Sequence, residues 1–251
     1  MLEEKGVSVV VEAVLVLAVV IPAILYTSLT YQNHALHEME AKHLEEVKTA
    51  FLQLQTAAER LQPGGTATVP LSLGGEPVPS IIPFLPFVVG RTAGGTIQFD
   101  NSWGRLLFRS QNYRYPDMEI IYENGAILLV QEGEALMLSP PAALAVRENE
   151  VYHQVFELEG ENFRISGTGV LSLTLICENL LVSENLVQSG ENLTIEFHSP
   201  AEDAWTEYLL VENSWLAARG YSPTLENLKL ILPGPLHYFK RVYRMRVRVG
   251  S

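Results

Sequence analysis

The residues that come closest to a metal-binding arrangement lie around position 40. His34, His37 and His43 occur there with Glu38 and Glu40, and the spacing Glu40-x-x-His43 places two ligand-type side chains on one side of a helix. A dinuclear metal site in a helical bundle needs the same motif on a second helix, and the sequence does not repeat it. We therefore predict a solvated helix face at these residues and no metal site.

No other pattern points to catalysis. The sequence has no phosphate-binding loop, no dinucleotide-binding glycine pattern, no zinc-protease histidine motif and no serine nucleophile elbow. His153, His198 and His237 fall on predicted strands or strand ends without acids at a telling spacing. The single cysteine, Cys177, ends an apolar strand and is interpreted as a buried small residue. The sequence therefore predicts a protein that is not an enzyme and has no catalytic residue and no cofactor.

Composition restricts the class of protein further. Apolar residues make up 47% of the 251 residues and charged residues 18%, which excludes general disorder. There are 29 acidic and 17 basic residues, and the net charge of −12 argues against nucleic acid as a partner. One cysteine excludes both an internal disulfide and a cysteine-based zinc site.

The N-terminal part of the chain is long and apolar enough to cross a membrane. The run from Val7 to Leu25 is interrupted only by Ser8, Glu12 and Pro22, and a helix needs about 20 such residues to cross a bilayer core. The apolar region of a cleaved secretory signal is shorter, about 7–15 residues, and is followed by a small-residue cleavage site that is missing here. We therefore predict a transmembrane segment over residues 7–29.

Two residues inside this segment are unusual. A charge at the centre of a bilayer costs about 2.5–3.5 kcal/mol, so Glu12 either lies near the end of the span, where it snorkels or is protonated, or has a partner. Pro22 removes a backbone donor and is expected to kink or loosen the helix.

These features resemble the N-terminus of the type IV pilin superfamily, in particular its archaeal pilins and archaellins. The matching residues are Lys5-Gly6, directly before the apolar run that begins at Val7, and the acid Glu12 early in that run. In this family a prepilin peptidase cleaves after such a glycine, and the apolar helix then packs into the core of a filament. The leader differs from the usual basic leaders of the family because it carries two acids and one lysine.

The resemblance implies a leader of residues 1–6, cleavage between Gly6 and Val7, and an assembly role for Glu12 and Pro22. Glu12 would neutralise the new amino terminus of a neighbouring Val7. It also implies a single-pass protein of the cell membrane whose C-terminal domain lies outside the cell, and an extracellular filament after assembly. The implied partners are further copies of the chain, other pilins, the prepilin peptidase and membrane lipid.

The helical pattern continues beyond the membrane segment to residue 61. Its predicted buried stripe consists of Leu29, Leu36, Met39, His43, Val47, Ala50, Leu54, Ala57 and Leu61. Pro63-Gly64-Gly65 is a stop signal. A single helix from Val7 to Gln62 would be about 84 Å long, so its upper half is expected to contact the rest of the chain or neighbouring copies.

The rest of the sequence predicts an α+β fold with an antiparallel, sandwich-like β-domain. Residues 62–95 are rich in proline and glycine and are interpreted as a linker, and residues 96–251 form the β-domain. Asn124-Gly125 is a hairpin signal, and Ser199-Pro200 is expected to cap a helix over Ala201–Arg219. The predicted strands are Ile97–Phe99, Leu106–Arg109, Glu119–Tyr122, Ala126–Gln131, Glu134–Leu138, Ala143–Arg147, Val151–Glu159, Phe163–Ser166, Val170–Cys177, Leu193–His198, Asn227–Leu232 and Tyr238–Val249.

Two surface features of the β-domain are open to more than one interpretation. The last strand is basic, with Lys240, Arg241, Arg244, Arg246 and Arg248. These residues either pair with carboxylates nearby or complement neighbouring acidic subunits or an acidic cell surface. Asn192-Leu-Thr194 is a possible glycosylation site if the domain is outside the cell.

Two functions fit the sequence best, ahead of an ectoenzyme. The first is a pilin-like structural subunit that assembles through its N-terminal helix into a surface filament or short pseudopilus, with an adhesive or other surface role. The second is a single-pass, membrane-anchored binding module that does not polymerise. Removal of residues 1–6 from the native protein distinguishes the two.

Overall fold

The computed structural model describes residues 2–75 and 93–250, and the side chains of residues 2–10 lie outside the described part. The helices are α1 (Leu2–Arg60) and α2 (Glu202–Ala218). The strands are β1 (Thr66–Ser72), β2 (Gly94–Asp100), β3 (Arg105–Gln111), β4 (Glu119–Glu123), β5 (Ala126–Gln131), β6 (Glu134–Ser139), β7 (Leu144–Arg147), β8 (Glu150–Glu159), β9 (Phe163–Gly167), β10 (Val170–Val187), β11 (Asn192–Glu196), β12 (Thr224–Glu226), β13 (Lys229–Pro233) and β14 (Leu236–Gly250). The predicted α+β class is confirmed: a long helix is joined to a β-rich domain with one further helix.

The upper half of α1 forms one wall of the β-domain. Its buried residues follow helical spacing, and they are Leu36, Glu40, His43, Leu44, Val47, Ala50, Phe51, Leu54, Gln55 and Ala58. The predicted stripe is therefore only partly correct, because Leu29 is exposed and Leu44 and Phe51 were missed. The helix ends at Arg60, just before Pro63, and continues through Pro22 without a break in its helical assignment.

The strands form three sheets. The first has the order β1-β10-β14-β8-β7, the second β6-β5-β4-β3-β2-β9, and the third, smaller sheet β11-β13-β12. The prediction of an antiparallel domain is wrong at one position, because β14 runs parallel to β8. The connection between these strands is long and passes through α2 and the small sheet, so a parallel pairing is sterically simple.

Two hydrophobic cores, which we call the lower and the upper core, lie on opposite faces of the second sheet, because the neighbouring residues Ile120 and Ile121 of β4 belong to different cores. The lower core packs α1 against the first two sheets and includes Phe51, Phe108 and Met245. The upper core packs α2 against the small sheet and includes Trp205, Leu209 and Leu232. Only the lower core contains residues of α1.

The register of β1 shows where α1, β1 and β10 lie relative to one another. After α1 the chain turns back, and Gly64 and Gly65 hydrogen-bond to Cys177 of β10. β1 then runs beside α1 in the opposite direction. It begins where Thr66 pairs with Ile176, and at its end the carbonyl of Ser72 contacts His43. β10 therefore continues upward past the end of α1 over residues 178–187, about 33 Å at 3.3 Å per residue.

The sequence located most elements but missed some. Every predicted strand overlaps an observed strand, and β5 has the predicted bounds. Residues 66–72, assigned to the linker, form β1, while residues 76–92 of that linker lie outside the described part. The predicted cap of α2 is only partly correct. The hydroxyl of Ser199 accepts a hydrogen bond from the N–H of Ala201 at 2.9 Å, but the N-cap residue is Ala201, which makes no side-chain cap hydrogen bond.

The predicted hairpin at Asn124-Gly125 joins β4 to β5. Both residues have positive φ angles, 45° and 79°, as a two-residue hairpin turn requires. A side chain at Gly125 would also meet the Phe156 ring, since a Cβ there lies 2.6 Å from its Cδ2. The turn thus combines local geometry with close packing against the lower core.

Candidate functional site

The lower part of α1 is apolar and has no partner within the described chain. Val14, Leu17 and Val19 are 58%, 53% and 71% exposed, and every residue from 11 to 20 is exposed. Among the described residues, α1 is one helix long and apolar enough to cross a membrane, and none of its most apolar window is buried. Exposed apolar surface of this extent indicates contact with lipid or with another protein.

The residues predicted for processing and assembly all lie on α1. Lys5, Gly6 and Val7 belong to its first turns, with side chains outside the described part. The carboxylate of Glu12 is exposed among apolar neighbours. Pro22 lies one third of the way along the helix.

The upper part of α1 is held by a buried carboxylate that the sequence analysis assigned to solvent. Glu40 is 0% exposed. Its Oε1 accepts a hydrogen bond from the backbone N–H of Tyr113 at 2.6 Å, and its Oε2 accepts from Arg114 and Tyr115 at 2.8 and 2.7 Å. These three donors belong to the loop between β3 and β4. The prediction of a solvated face is therefore wrong at Glu40.

Two further polar side chains on the same stripe bind backbone carbonyls. His43 belongs both to the predicted buried stripe and to the residues predicted to be solvated. It is buried, and its Nε2 donates to the carbonyl of Ser72 at 3.1 Å. The amide of Gln55 donates to the carbonyls of Gly125 and Pro140 at 2.7 and 3.0 Å. Because each bond has a fixed direction, the three residues set the height and rotation of α1 on the β-domain.

The side chains of Glu40 and His43 are both engaged by backbone groups of the β-domain. Within the described residues no group of three or more His, Cys, Asp or Glu side chains could hold a metal ion. Both side chains instead bind backbone groups of the β-domain, which explains their helical spacing. The sequence signal that could have identified this role was position: Glu40 and His43 lie at helix positions where the buried stripe requires a buried side chain.

A large cleft is lined by residues of β8 and β14 and of the loops that follow β2, β8 and β11. Its volume is ≈ 1260 Å³, and its lining includes Trp103, Glu123, His153, Phe163 and Lys240. Glu123 is buried and accepts hydrogen bonds from the hydroxyl of Ser199 and, at 2.5 Å, from Nε1 of Trp205. It thus connects β4 to α2 rather than serving only a local turn.

His153 is the most perturbed titratable group of the cleft. Its Nδ1 lies 2.8 Å from the hydroxyl of Tyr238. Burial, and then the charge of Lys240, lower the pKa of His153 to about 4. The imidazole is therefore neutral at physiological pH, and Nε2 has no hydrogen-bond partner among the described residues.

The basic strand β14 is partly neutralised by carboxylates of its own domain. Arg244 lies 3.1 Å from Glu157, and Arg246 lies 2.7 Å from Glu178. Local pairing therefore accounts for these two residues. Arg241 and Arg248 make no ion pair with any described residue.

Two other predicted residues are placed as follows. Cys177 is buried, and burial raises the pKa of its thiol, in line with a packing role. Asn192 is exposed at the start of β11, so the possible glycosylation site is accessible.

The comparisons with known proteins identify a family but no function. The profile of DUF7289, a family of unknown function, matches residues 5–228, which include α1, most of the β-domain and α2. No curated protein and no solved structure matches the chain.

We predict that Glu40→Gln destabilises the protein, because the amide nitrogen of glutamine would face backbone N–H groups that need an acceptor. The expected loss in the free energy of unfolding is about 1–3 kcal/mol. Denaturant titration of the full chain in detergent, followed by circular dichroism, measures it. Glu46→Gln, an exposed position on the same helix, is the control and should change it by less than about 0.5 kcal/mol. Equal effects of both changes would contradict the role given to Glu40.

We also predict that stability falls on acidification because of His153. Its pKa is lower in the folded than in the unfolded protein, so the unfolded chain takes up the proton first as the pH drops from about 6.5 to 4. The free energy of unfolding should fall by about 3 kcal/mol over that window through this residue. His153→Gln should flatten this dependence, whereas His198→Gln, at an exposed side chain, should leave it intact. An unchanged slope in His153→Gln would disprove the assignment.

Proposed function

We propose a function from the physical features of the chain, which belongs to the DUF7289 family of unknown function. The protein is a pilin-like structural subunit. It is inserted in the cell membrane through the lower part of α1, with the β-domain outside, and assembles through that helix into a surface filament or pseudopilus.

The observation that carries this proposal is the division of α1 into two parts. Residues 36–58 are fixed to the β-domain by apolar packing and three polar anchors, whereas residues 11–20 are exposed and apolar. A simple anchor needs about 20 residues, but α1 has 59 and rises through the whole lower core. A subunit that assembles by packing its helix against the helices of other copies requires a rigid helix that protrudes from its domain.

The exposed carboxylate of Glu12 supports assembly over simple anchoring. It is a lone acid in the apolar segment, and its charge is costly in lipid unless it is neutralised. In an assembly, the amino terminus of a neighbouring copy, freed by cleavage after Gly6, supplies a positive charge. The contact lies in a dry helix bundle, where the attraction exceeds that in water.

The cleft supports a second candidate, a membrane-anchored binding module that does not polymerise. A space of this size, lined by Trp103, His153 and several carboxylates, suits a ligand of mixed polarity. The two functions differ in processing. The intact mass of the native protein should correspond to a chain beginning at Val7 if it is a pilin-like subunit, and a mass that retains residues 1–6 would favour the binding module.

We predict that Glu12→Leu separates insertion from assembly. The change removes a costly group from the span, so mature protein should accumulate in the membrane at normal levels. Filaments sheared from the cell surface should contain little of it, because removing one partner of a buried ion pair costs roughly 3–5 kcal/mol. Val16→Leu, an apolar change one turn away, is the control and should assemble normally. Filaments of wild-type yield from Glu12→Leu would rule out the pairing role.

A further inference from the structure

The large cleft runs along an open edge of the first sheet. The edge strand β7 pairs only with residues 150–153 of β8. Residues 155–159 of β8 therefore have no neighbouring strand on that side within the described chain, and all five line the cleft together with the loops that follow β2 and β8. A ligand in the cleft thus meets the edge of a strand.

Two asparagine side chains close this edge to a further strand. The backbone N–H of Phe156 donates to Oδ1 of Asn124 at 3.1 Å, and that of Gly160 donates to Oδ1 of Asn101 at 3.2 Å. Every second residue of a strand directs its N–H to the same side, and Gln154 donates its N–H to the segment that leads into β7, so these bonds lie on the outer edge. A peptide that binds by adding a strand needs such N–H groups, and here the protein's own side chains occupy them.

The same asparagines present amide donors to the cleft. Because Oδ1 of Asn101 and of Asn124 is fixed by a backbone N–H, the amide nitrogen of each side chain is directed away from the strand. Asn162 is held in the same way, since its Oδ1 accepts a hydrogen bond from the N–H of Asn101 at 2.7 Å. All three residues line the cleft, and their amide nitrogens make no hydrogen bond to any described residue. The cleft therefore offers uncharged donors in fixed positions.

Carboxylates of the same lining supply the acceptors. Glu157 and Glu159 each contact the same arginine of β14 through one oxygen, at 3.1 and 3.6 Å, which leaves the second oxygen of each without an ion pair. Glu161 makes no ion pair with any described residue, and the same holds for Lys240 and Arg248, which also line the cleft. Because both signs of charge are present, a strongly charged ligand would meet a like charge in the cleft.

An exposed tryptophan adds an apolar surface to the lining. Trp103 lies in the loop between β2 and β3 and is 51% exposed. The face of an aromatic ring carries partial negative charge and attracts C–H groups that bear partial positive charge. The C–H bonds on the apolar face of a sugar ring are such groups, because their carbons carry oxygen. A sugar ring therefore combines a surface for Trp103 with hydroxyl groups for the polar lining.

We infer that the cleft binds a neutral oligosaccharide. One sugar ring stacks on Trp103, its oxygens accept hydrogen bonds from the asparagine amides, and its hydroxyl groups donate to the glutamates. Each hydroxyl is both a donor and an acceptor, which matches a lining of uncharged donors beside carboxylates. Pockets for drug-sized ligands measure about 300–1,000 Å³. The cleft measures ≈ 1260 Å³, so it holds more than one ring.

This inference rests on the second candidate function, for which it names the ligand class, and it is independent of assembly through α1. None of the described residues that line the cleft belongs to α1. Binding can therefore be measured on the single chain, apart from filament formation.

Titration calorimetry with unbranched hexamers of glucose, of mannose and of N-acetylglucosamine tests the inference. The full chain is held in lipid nanodiscs, because detergents with sugar head groups would compete for the cleft. At least one of the neutral hexamers should bind, and the hexamer of galacturonic acid should bind at least tenfold more weakly. Failure of all three neutral hexamers to bind, or equal binding of the acidic one, would overturn the inference.

Trp103→Ala tests the stacking surface. The dissociation constant of the neutral hexamer should rise at least tenfold, because the aromatic face is lost. Trp215→Ala is the matched control, since Trp215 is 38% exposed on α2 and does not line the cleft. Its dissociation constant should stay within twofold of that of the wild type. Equal effects of the two changes would contradict the site.

Asn124→Asp tests the amide donors. A carboxylate oxygen still accepts the N–H of Phe156, so the circular dichroism spectrum should be unchanged, whereas the donor to the ligand is lost and binding should weaken at least fivefold. Asn185→Asp adds the same charge at an exposed residue of β10 outside the cleft and should bind like the wild type. Equal affinities of these two variants would remove the asparagines from the site and refute the inference.

The outcomes separate this inference from the subunit function. If the native chain begins at Val7 and forms filaments but binds no neutral hexamer, the inference is wrong while the subunit function stands. If a chain that retains residues 1–6 stays monomeric and binds a neutral hexamer through Trp103, the subunit function fails and the inference stands.

Discussion

The structure depends on a buried carboxylate, that of Glu40, which forms no ion pair with any described residue. Glu40 is held by three backbone N–H groups of one loop, and such an arrangement satisfies a buried charge that would otherwise be very costly. Apolar packing alone would tolerate small slips and rotations of α1 on the sheet. A carboxylate with three fixed donors does not, since any slip would leave both the charge and the donors unpaired. The β-domain therefore holds α1 at one height and in one rotation.

This constraint also determines the orientation of the exposed half of the helix. Because α1 is a single helix from Leu2 to Arg60, fixing its upper half also fixes the direction in which the lower half leaves the domain. A flexible tether would suffice for membrane attachment. A rod held at a defined angle instead presents its side chains in a fixed orientation, which matters when another copy must recognise them. In the proposed assembly, the fixed position of α1 at Glu40 therefore also orients Glu12, although the two residues are far apart.

The sequence predicted those features that depend on local periodicity. The long helix, the Asn124-Gly125 hairpin and the bounds of β5 follow from spacing of 3.6 or 2 residues and from turn chemistry. Prediction from the sequence failed where the local structure depends on a segment that is distant in the chain. β1 lies in a region rich in proline and glycine and is a strand only because β10 offers it a partner. Glu40 was assigned to solvent because its donors lie more than 70 residues away. The parallel pairing of β8 with β14 likewise has no local signal.

The distribution of charge decides how such a chain can associate. With a net charge of −12, copies repel one another at long range, so a contact between them needs apolar area together with a local attraction. Two of the five basic residues of β14 are already engaged: Arg244 and Arg246 pair with glutamates of their own copy. Arg241 is left without such a pair, and the face that it shares with exposed Val182 and Leu186 also carries Glu184, which lies 3.5 Å from His237. The exposed segment of α1 carries one carboxylate, that of Glu12, within an apolar surface. Mutual repulsion then disfavours alignments that bring acidic surfaces together. The proposed assembly through α1 meets both requirements, because its apolar segment supplies the area and Glu12 is the group on which a local attraction acts.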